Sequence, residues 1–168
     1  MERSLIRIMA VADGMIPSVE LVLAKPLAWL AEQGVISYTL TTMRDTDPYC
    51  DLHNVDVLIL MRACMPDALD LVNHAVSHSV PVIYAIDDDF ESLDPATPIG
   101  RHYAEANAWQ RVLEICAKSR QVWAFSKALE RKLLPVQRHV VIPRAISSVE
   151  HIQALVLSAQ TNLSSVGQ

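Results

Sequence analysis

Two short runs, Val57-Leu58-Ile59-Leu60-Met61 and Val82-Ile83-Tyr84-Ala85-Ile86, are apolar at odd and even positions alike. Side chains on a strand alternate between the two faces of its sheet, so a strand that is apolar throughout must be covered on both faces. A parallel sheet between two layers of helices meets that demand; an antiparallel sheet with one wet face does not. Each run also stops at charge, Arg62 after the first and Asp87-Asp88-Asp89 after the second.

The same rhythm recurs along the chain. Strands are expected over residues 5–12, 35–41, 55–61, 81–86, 121–125 and 139–142, from apolar or β-branched runs bounded by turn residues. Ser18 stands where the N-cap of a first helix belongs, with Val19, Val22, Leu23, Leu27 and Leu30 as its buried stripe and Gly34 as its stop. Pro26 inside that stripe removes one helical hydrogen bond, which predicts a kink there or a later start. Pro66 opens a second helix with Leu69, Val72 and Val76 inward. A third, over 103–119, runs through Ala106, Trp109, Val112, Leu113 and Cys116. Ser126 caps a short one ending near Leu134, and the last covers 148–163 with Ile152, Leu155 and Val156 inward. Residues 43–54 and 91–100 read as loops, the second carrying Pro95 and Pro98 over the strand ends. Trp29, Trp109 and Trp123 fall at core positions, with stacking on a sugar as the less ordinary role.

Strands alternating with helices give an α/β chain, a three-layer Rossmann-like sandwich with a mainly parallel sheet of about six strands. Residues 1–147 make that domain and 148–168 a C-terminal helix and tail. At 168 residues and 51% hydrophobic content the chain can fill a core on both sides of a sheet. A formal charge of -5 and no basic stripe argue against nucleic acid as a partner. Cys50, Cys64 and Cys116 have neither the number nor the spacing of a disulfide framework or zinc knuckle, so a reducing cytoplasm fits best. No stretch approaches the ~18 apolar residues of a membrane span, which leaves only peripheral attachment to the inner face of a membrane open.

In an open parallel sheet, ligands bind outside the carboxyl ends of the strands. Asp13-Gly14, Arg62, Asp87-Asp88-Asp89 and Ser126 all fall at such ends. Gly14 is either a close backbone approach to a ligand or a turn glycine. Arg62 either pairs with the neighbouring acids, the plainer reading, or presents itself to an anionic group. Asp87 and Asp88 leave the strand in opposite directions, so one is expected to turn inward, to Arg62 or to backbone amides, while the other faces the crevice. Asp87 and Asp89 also have the DxD spacing that holds a divalent ion against a diphosphate, the basis of an alternative reading as a metal-dependent transferase or phosphohydrolase. His74 and His78 lie four apart on one helix, a metal-compatible spacing, but without an acid on that face they read as surface histidines. The single glycine at residue 14 is neither a dinucleotide fingerprint nor a phosphate loop. No cofactor or metal is expected.

Four stretches together resemble the N-terminal half of GT-B glycosyltransferases, in particular the family-4 retaining class. These are Pro17-Ser18 through Pro26-Leu27 to Leu30 and Gly34, the strand 56–61 ending in Arg62, the strand 82–86 ending in Asp87-Asp88-Asp89, and Val122-Trp123-Ala124-Phe125-Ser126 with Leu129, followed by Val140-Val141-Ile142-Pro143. The resemblance covers about residues 5–146. The chain departs from it at Glu20-Leu21-Val22, where members of the class often carry an arginine, and at Arg144, where an asparagine is usual. The resemblance implies an acceptor-side domain whose cleft wall contains Gly14, Arg62, Asp87, Asp88 and Ser126, binding an acceptor sugar or glycan. It implies that the nucleotide sugar is held by a second domain that this chain lacks, and that the chain alone is inactive. The remaining alternative is a non-catalytic Rossmann-like module that works through contacts with a partner domain or a second copy.

Overall fold

The computed structural model describes residues 5–143; the helix expected over 148–163 lies outside the described residues. Six parallel strands form one sheet in the order β2-β1-β3-β4-β5-β6, with β1 Ile6–Ala12, β2 Ile36–Thr42, β3 Val57–Met61, β4 Val82–Ile86, β5 Gln121–Ala124 and β6 Val140–Val141. Every strand expected from the sequence is present. The chain moves outward from β1 to β2 and then back across to β3, so the direction of winding reverses between β1 and β3. That seam is the topological switch point, and the order is the flavodoxin-like variant of the doubly wound sheet.

All five residues of β3 and all five of β4 are buried. Alternate side chains serve different cores. Ala10, Ala12, Ile59, Met61, Ile83 and Ala85 face a cluster closed by Val19, Leu23, Leu27 and Leu30 of the first helical segment. Val11, Leu58, Leu60, Tyr84, Ile86 and Ala124 face the other, where α3 (Pro66–Ser77), α5 (Ala108–Lys118) and α6 (Lys127–Leu133) pack. Full burial of one large aliphatic side chain is worth about 1.5–3 kcal/mol, so these central strands are the main source of cohesion.

The first helical segment starts two residues earlier than the sequence suggests. Pro17 occupies the first helical position, Ile16 is the cap residue, and the Ser18 hydroxyl is buried without a partner instead of capping. Proline suits that position because its missing N–H would have no helical partner there. Of the two expectations for Pro26, the later start is the one found, since the regular α-helical stretch that carries it begins at Lys25. The turn ahead of it, Glu20–Ala24, widens to π geometry, with Lys25 N–H donating to the Glu20 carbonyl, and α2 (Lys25–Glu32) carries Pro26 in its first turn. A wider turn moves the preceding carbonyls off the proline ring, which in a regular helix would collide with the carbonyl four residues back. Gly34, with φ of 68°, ends the helix as expected.

Other expectations need correction. Trp29 is 45% exposed and Val76 49% exposed, whereas Trp123 lies in the core. The buried face of α3 is Ala68, Leu71, Val72 and Ala75, one position round from the stripe read from sequence. The region 91–100 is not simply a loop: a 3-10 turn, Phe90–Ser92, is followed by α4 (Pro98–Glu105), capped by Thr97, whose hydroxyl accepts from the Gly100 amide. The single helix expected over 103–119 is therefore two, α4 and α5, divided at Asn107 in the left-handed conformation, φ 51°. Asparagine tolerates that conformation better than most residues. No helix among the described residues is long and apolar enough to cross a membrane.

Candidate functional site at the carboxyl ends of the strands

Asp13 and Arg62 flank the switch point. Ala12 and Met61 are paired in register, and the Asp13 amide donates to the Met61 carbonyl at 3.0 Å, so the next residue of each strand stands beside the seam. Arg62 turns there through φ 63°, a left-handed conformation that costs a side-chain-bearing residue about 1–2 kcal/mol. Its amide still continues the ladder, donating to the Ala85 carbonyl at 2.9 Å. The bend directs the side chain across the end of β4.

The guanidinium is the centre of the site. Its Nη1 donates to Asp87 Oδ1 at 2.7 Å and also to Asp88 Oδ2. The Arg62 side chain is 11% exposed, that of Asp87 17% and that of Asp88 52%. Both aspartates thus turn to Arg62, in place of the expected division of one inward and one outward, and Asp88 is the more exposed of the two. Burial alone would lower the Arg62 pKa, but hydrogen bonds to Asp88 and Asp87 and their charges more than reverse it, so the guanidinium is held firmly protonated. Phe90 lies under it, 5.5 Å from ring centre to guanidinium carbon, and Tyr103 stacks on Phe90 at 4.4 Å and 12°.

Asp13 shares this environment. Burial raises its pKa, Arg62 pulls it back, Asp67 pushes it further up and His102 opposes that. Cys64 is fully buried in the core beside the site, and that burial raises its thiol to about 12. Arg111 closes the back of the site, with Nη1 donating to the Cys64 carbonyl at 2.7 Å and to the Ala106 carbonyl at 3.2 Å.

The third acid of the triplet goes elsewhere. Asp89 caps the 3-10 turn, accepts from Ser92 Oγ at 2.6 Å, and is 2.6 Å from Lys132 Nζ on α6. Burial would raise its pKa, but the bonds from Lys132 and Ser92 outweigh this and lower it. Lys132 also meets Glu91 at 2.8 Å and lies 5.4 Å from the Trp109 ring centre. Asp87 and Asp89 therefore bind different cations. Among the described residues no three His, Cys, Asp or Glu side chains are grouped to hold a metal.

The other two sequence-selected residues sit at the same edge with different duties. Ser126 is the N-cap of α6, its hydroxyl accepting from the Leu129 amide at 3.2 Å, so its oxygen is committed to the helix. Gly14 follows Asp13 at the end of β1, and a Cβ built there would meet nothing within 4 Å. Neither crowding nor a positive φ demands glycine at that place. Phe90, Tyr103 and Arg111 were not singled out as site residues from sequence. Asp13 could have been ranked above its neighbour Gly14, since it is the first residue after the strand that flanks the switch point.

No family model and no curated protein matches this chain. Among solved structures it is similar to the response regulator ChrA of a heme-sensing two-component system, with 16% identity over 96% of this chain and 89% of that one and a TM-score of 0.35. A likeness that remote carries no argument about function.

Proposed function

We propose that the crevice at the carboxyl ends of the strands binds the hydroxyl groups of a sugar or glycan, and that the chain is the acceptor-side domain of a GT-B-type glycosyltransferase. The observation that carries this reading is the Asp88 carboxylate, half-exposed yet fixed on Arg62 beside the switch point at the carboxyl ends of the strands. A carboxylate held in one orientation accepts hydrogen bonds from hydroxyls without first having to be ordered, which is how an acceptor oxygen is placed for transfer. In this reading Asp88 orients the acceptor, Asp87 and Arg62 hold Asp88, and the Gly14 backbone lines the opposite wall. Ser126 fixes the start of α6 at the far side. The nucleotide sugar is bound by another domain, and the chain alone turns nothing over.

Saturation-transfer NMR on the full chain with a panel of neutral mono- and disaccharides tests this. At least one sugar is expected to show contact that Asp88→Asn abolishes, and nucleotide sugars are expected to stay intact on incubation. Equal contact in Asp88→Asn, or release of nucleotide by the chain unaided, overturns the reading. The metal-dependent alternative is weakened by the bonds that tie Asp89 to Lys132 and Ser92. Magnesium-dependent shifts of the amides of residues 87–89 would revive it.

A further inference from the structure

A cavity of about 770 Å3 opens at the opposite edge of the sheet, where β3 and β4 begin, and the acceptor reading leaves it unused. His74 and His78, at the end of α3, line it with ring centres 4.3 Å apart, and Tyr49 meets His74 edge-on at 5.7 Å. Each imidazole is held from behind by the backbone. His74 Nε2 lies 2.9 Å from the Cys50 carbonyl oxygen, and His78 Nδ1 lies 2.9 Å from the His74 carbonyl oxygen. A carbonyl oxygen can only accept, and the Ser77 hydroxyl 3.1 Å from His78 Nδ1 already donates to the His74 carbonyl at 2.7 Å, so these nitrogens carry the hydrogens. In the neutral rings that leaves lone pairs on His74 Nδ1 and His78 Nε2. A backbone carbonyl on the far nitrogen is the arrangement that fixes tautomer and orientation in imidazole ligands of metals.

We propose that His74 and His78 form a two-imidazole site for a late first-row divalent ion such as zinc, nickel or copper, its remaining positions filled by water from the cavity. Imidazole favours these ions, whereas magnesium and calcium require oxygen ligands. Closed structural zinc sites have four protein ligands, so a site of two is open and its ion exchanges. The inference revises the sequence-based reading of these residues as plain surface histidines, because both rings are tied to carbonyls and face one cavity. It stands independently of the sugar-binding proposal, from which it is separated by the height of the sheet.

Calorimetric titration of the full chain with zinc or nickel chloride at neutral pH tests it. One saturable site per chain is expected. His74→Ala and His78→Ala are each expected to weaken binding by about ten-fold or more, as loss of a ligand or its support does, while His139→Ala on the distant β6 side leaves it unchanged. His78 is exposed at the end of α3, so its variant keeps the fold and carries the test if His74→Ala does not. Copper bound at the site should also show hyperfine coupling to imidazole nitrogens in electron paramagnetic resonance. Absence of a saturable heat, or an affinity that His78→Ala leaves intact, overturns the proposal.

Discussion

The two edges of this sheet hold their polar side chains by opposite means. At the carboxyl edge charge answers charge, with Arg62 on Asp87 and Asp88, and Lys132 on Asp89 and Glu91. At the amino edge the one strong ion pair among the described residues, Arg7 with Asp56 at 2.8 Å, sits on the rim, and the imidazoles beside the cavity are held by carbonyl oxygens. Ionic clamps spend much of their hydrogen-bonding capacity on one another, so the side chains of the carboxyl edge are held in a fixed geometry. Carbonyl-held rings retain a free lone pair each, and the amino edge has room around them. The two edges therefore differ in how far their polar groups are already committed to one another.

The sharpest way to break that contrast is to remove the guanidinium. Arg62→Ala leaves Asp87 without its cation and is expected to cost about 3 kcal/mol in urea unfolding, the usual loss when one member of a buried pair is deleted; half-exposed Asp88 contributes the lesser part. Arg62→Gly should be the milder of the two by about 1 kcal/mol, because glycine accepts φ 63° without strain. Equal losses in both would mean that the left-handed turn is not stressed. Next in size, Gly100→Ala is expected to cost about 1–3 kcal/mol, since a Cβ there would overlap the Asp94 carbonyl, a backbone group with no easy retreat. A thermal melt unchanged from the parent would show that the segment before α4 is looser than the clamps around it.

Much of the architecture was legible because the decisive residues act locally. Apolar runs of strand length, Pro66 at a helix start, Ser126 as a cap and Gly34 as a stop need no knowledge of what lies opposite them. Errors arose where a partner distant in sequence decided the outcome. Trp29 lies off the stripe of Val19, Leu23, Leu27 and Leu30, which is buried as expected, and in α3 the buried stripe falls on Ala68, Leu71, Val72 and Ala75 and leaves Val76 outside. Thr97-Pro98 did carry a helix-start signal, a capping hydroxyl followed by proline at the first helical position, which the nearby Pro95 masked. The pairing of Arg62 with the acid cluster followed from the rule that buried charges need partners. The sharing of one guanidinium nitrogen between Asp87 and Asp88, and the loss of Asp89 to Lys132, depended on where α6 comes to rest.

Two smaller effects sharpen the contrast through pH. The Asp89 pKa is lowered in the fold, so its stabilising bonds are fully present above the ordinary carboxylate range near ~4 and are lost as pH falls through the folded value. Asp89→Asn should therefore cost about 1 kcal/mol at neutral pH and progressively less in acid, as read from melting temperature against pH. Asp13 is the reverse case. Its pKa is raised by burial, so ionised Asp13 is a cost at neutral pH, and Asp13→Asn should raise the melting temperature slightly there, the gain shrinking as pH falls toward ~4. Parallel pH profiles for the two variants would contradict the distinct settings assigned to them.

Lys132 reaches from α6 to the turn that begins at Asp89, and its ammonium lies against the Trp109 ring of α5. One flexible side chain thus couples three segments that the backbone leaves separate. Raised ionic strength should loosen the rim turn and α6 together, so that their amides exchange with solvent in step while β3 and β4 beneath stay protected.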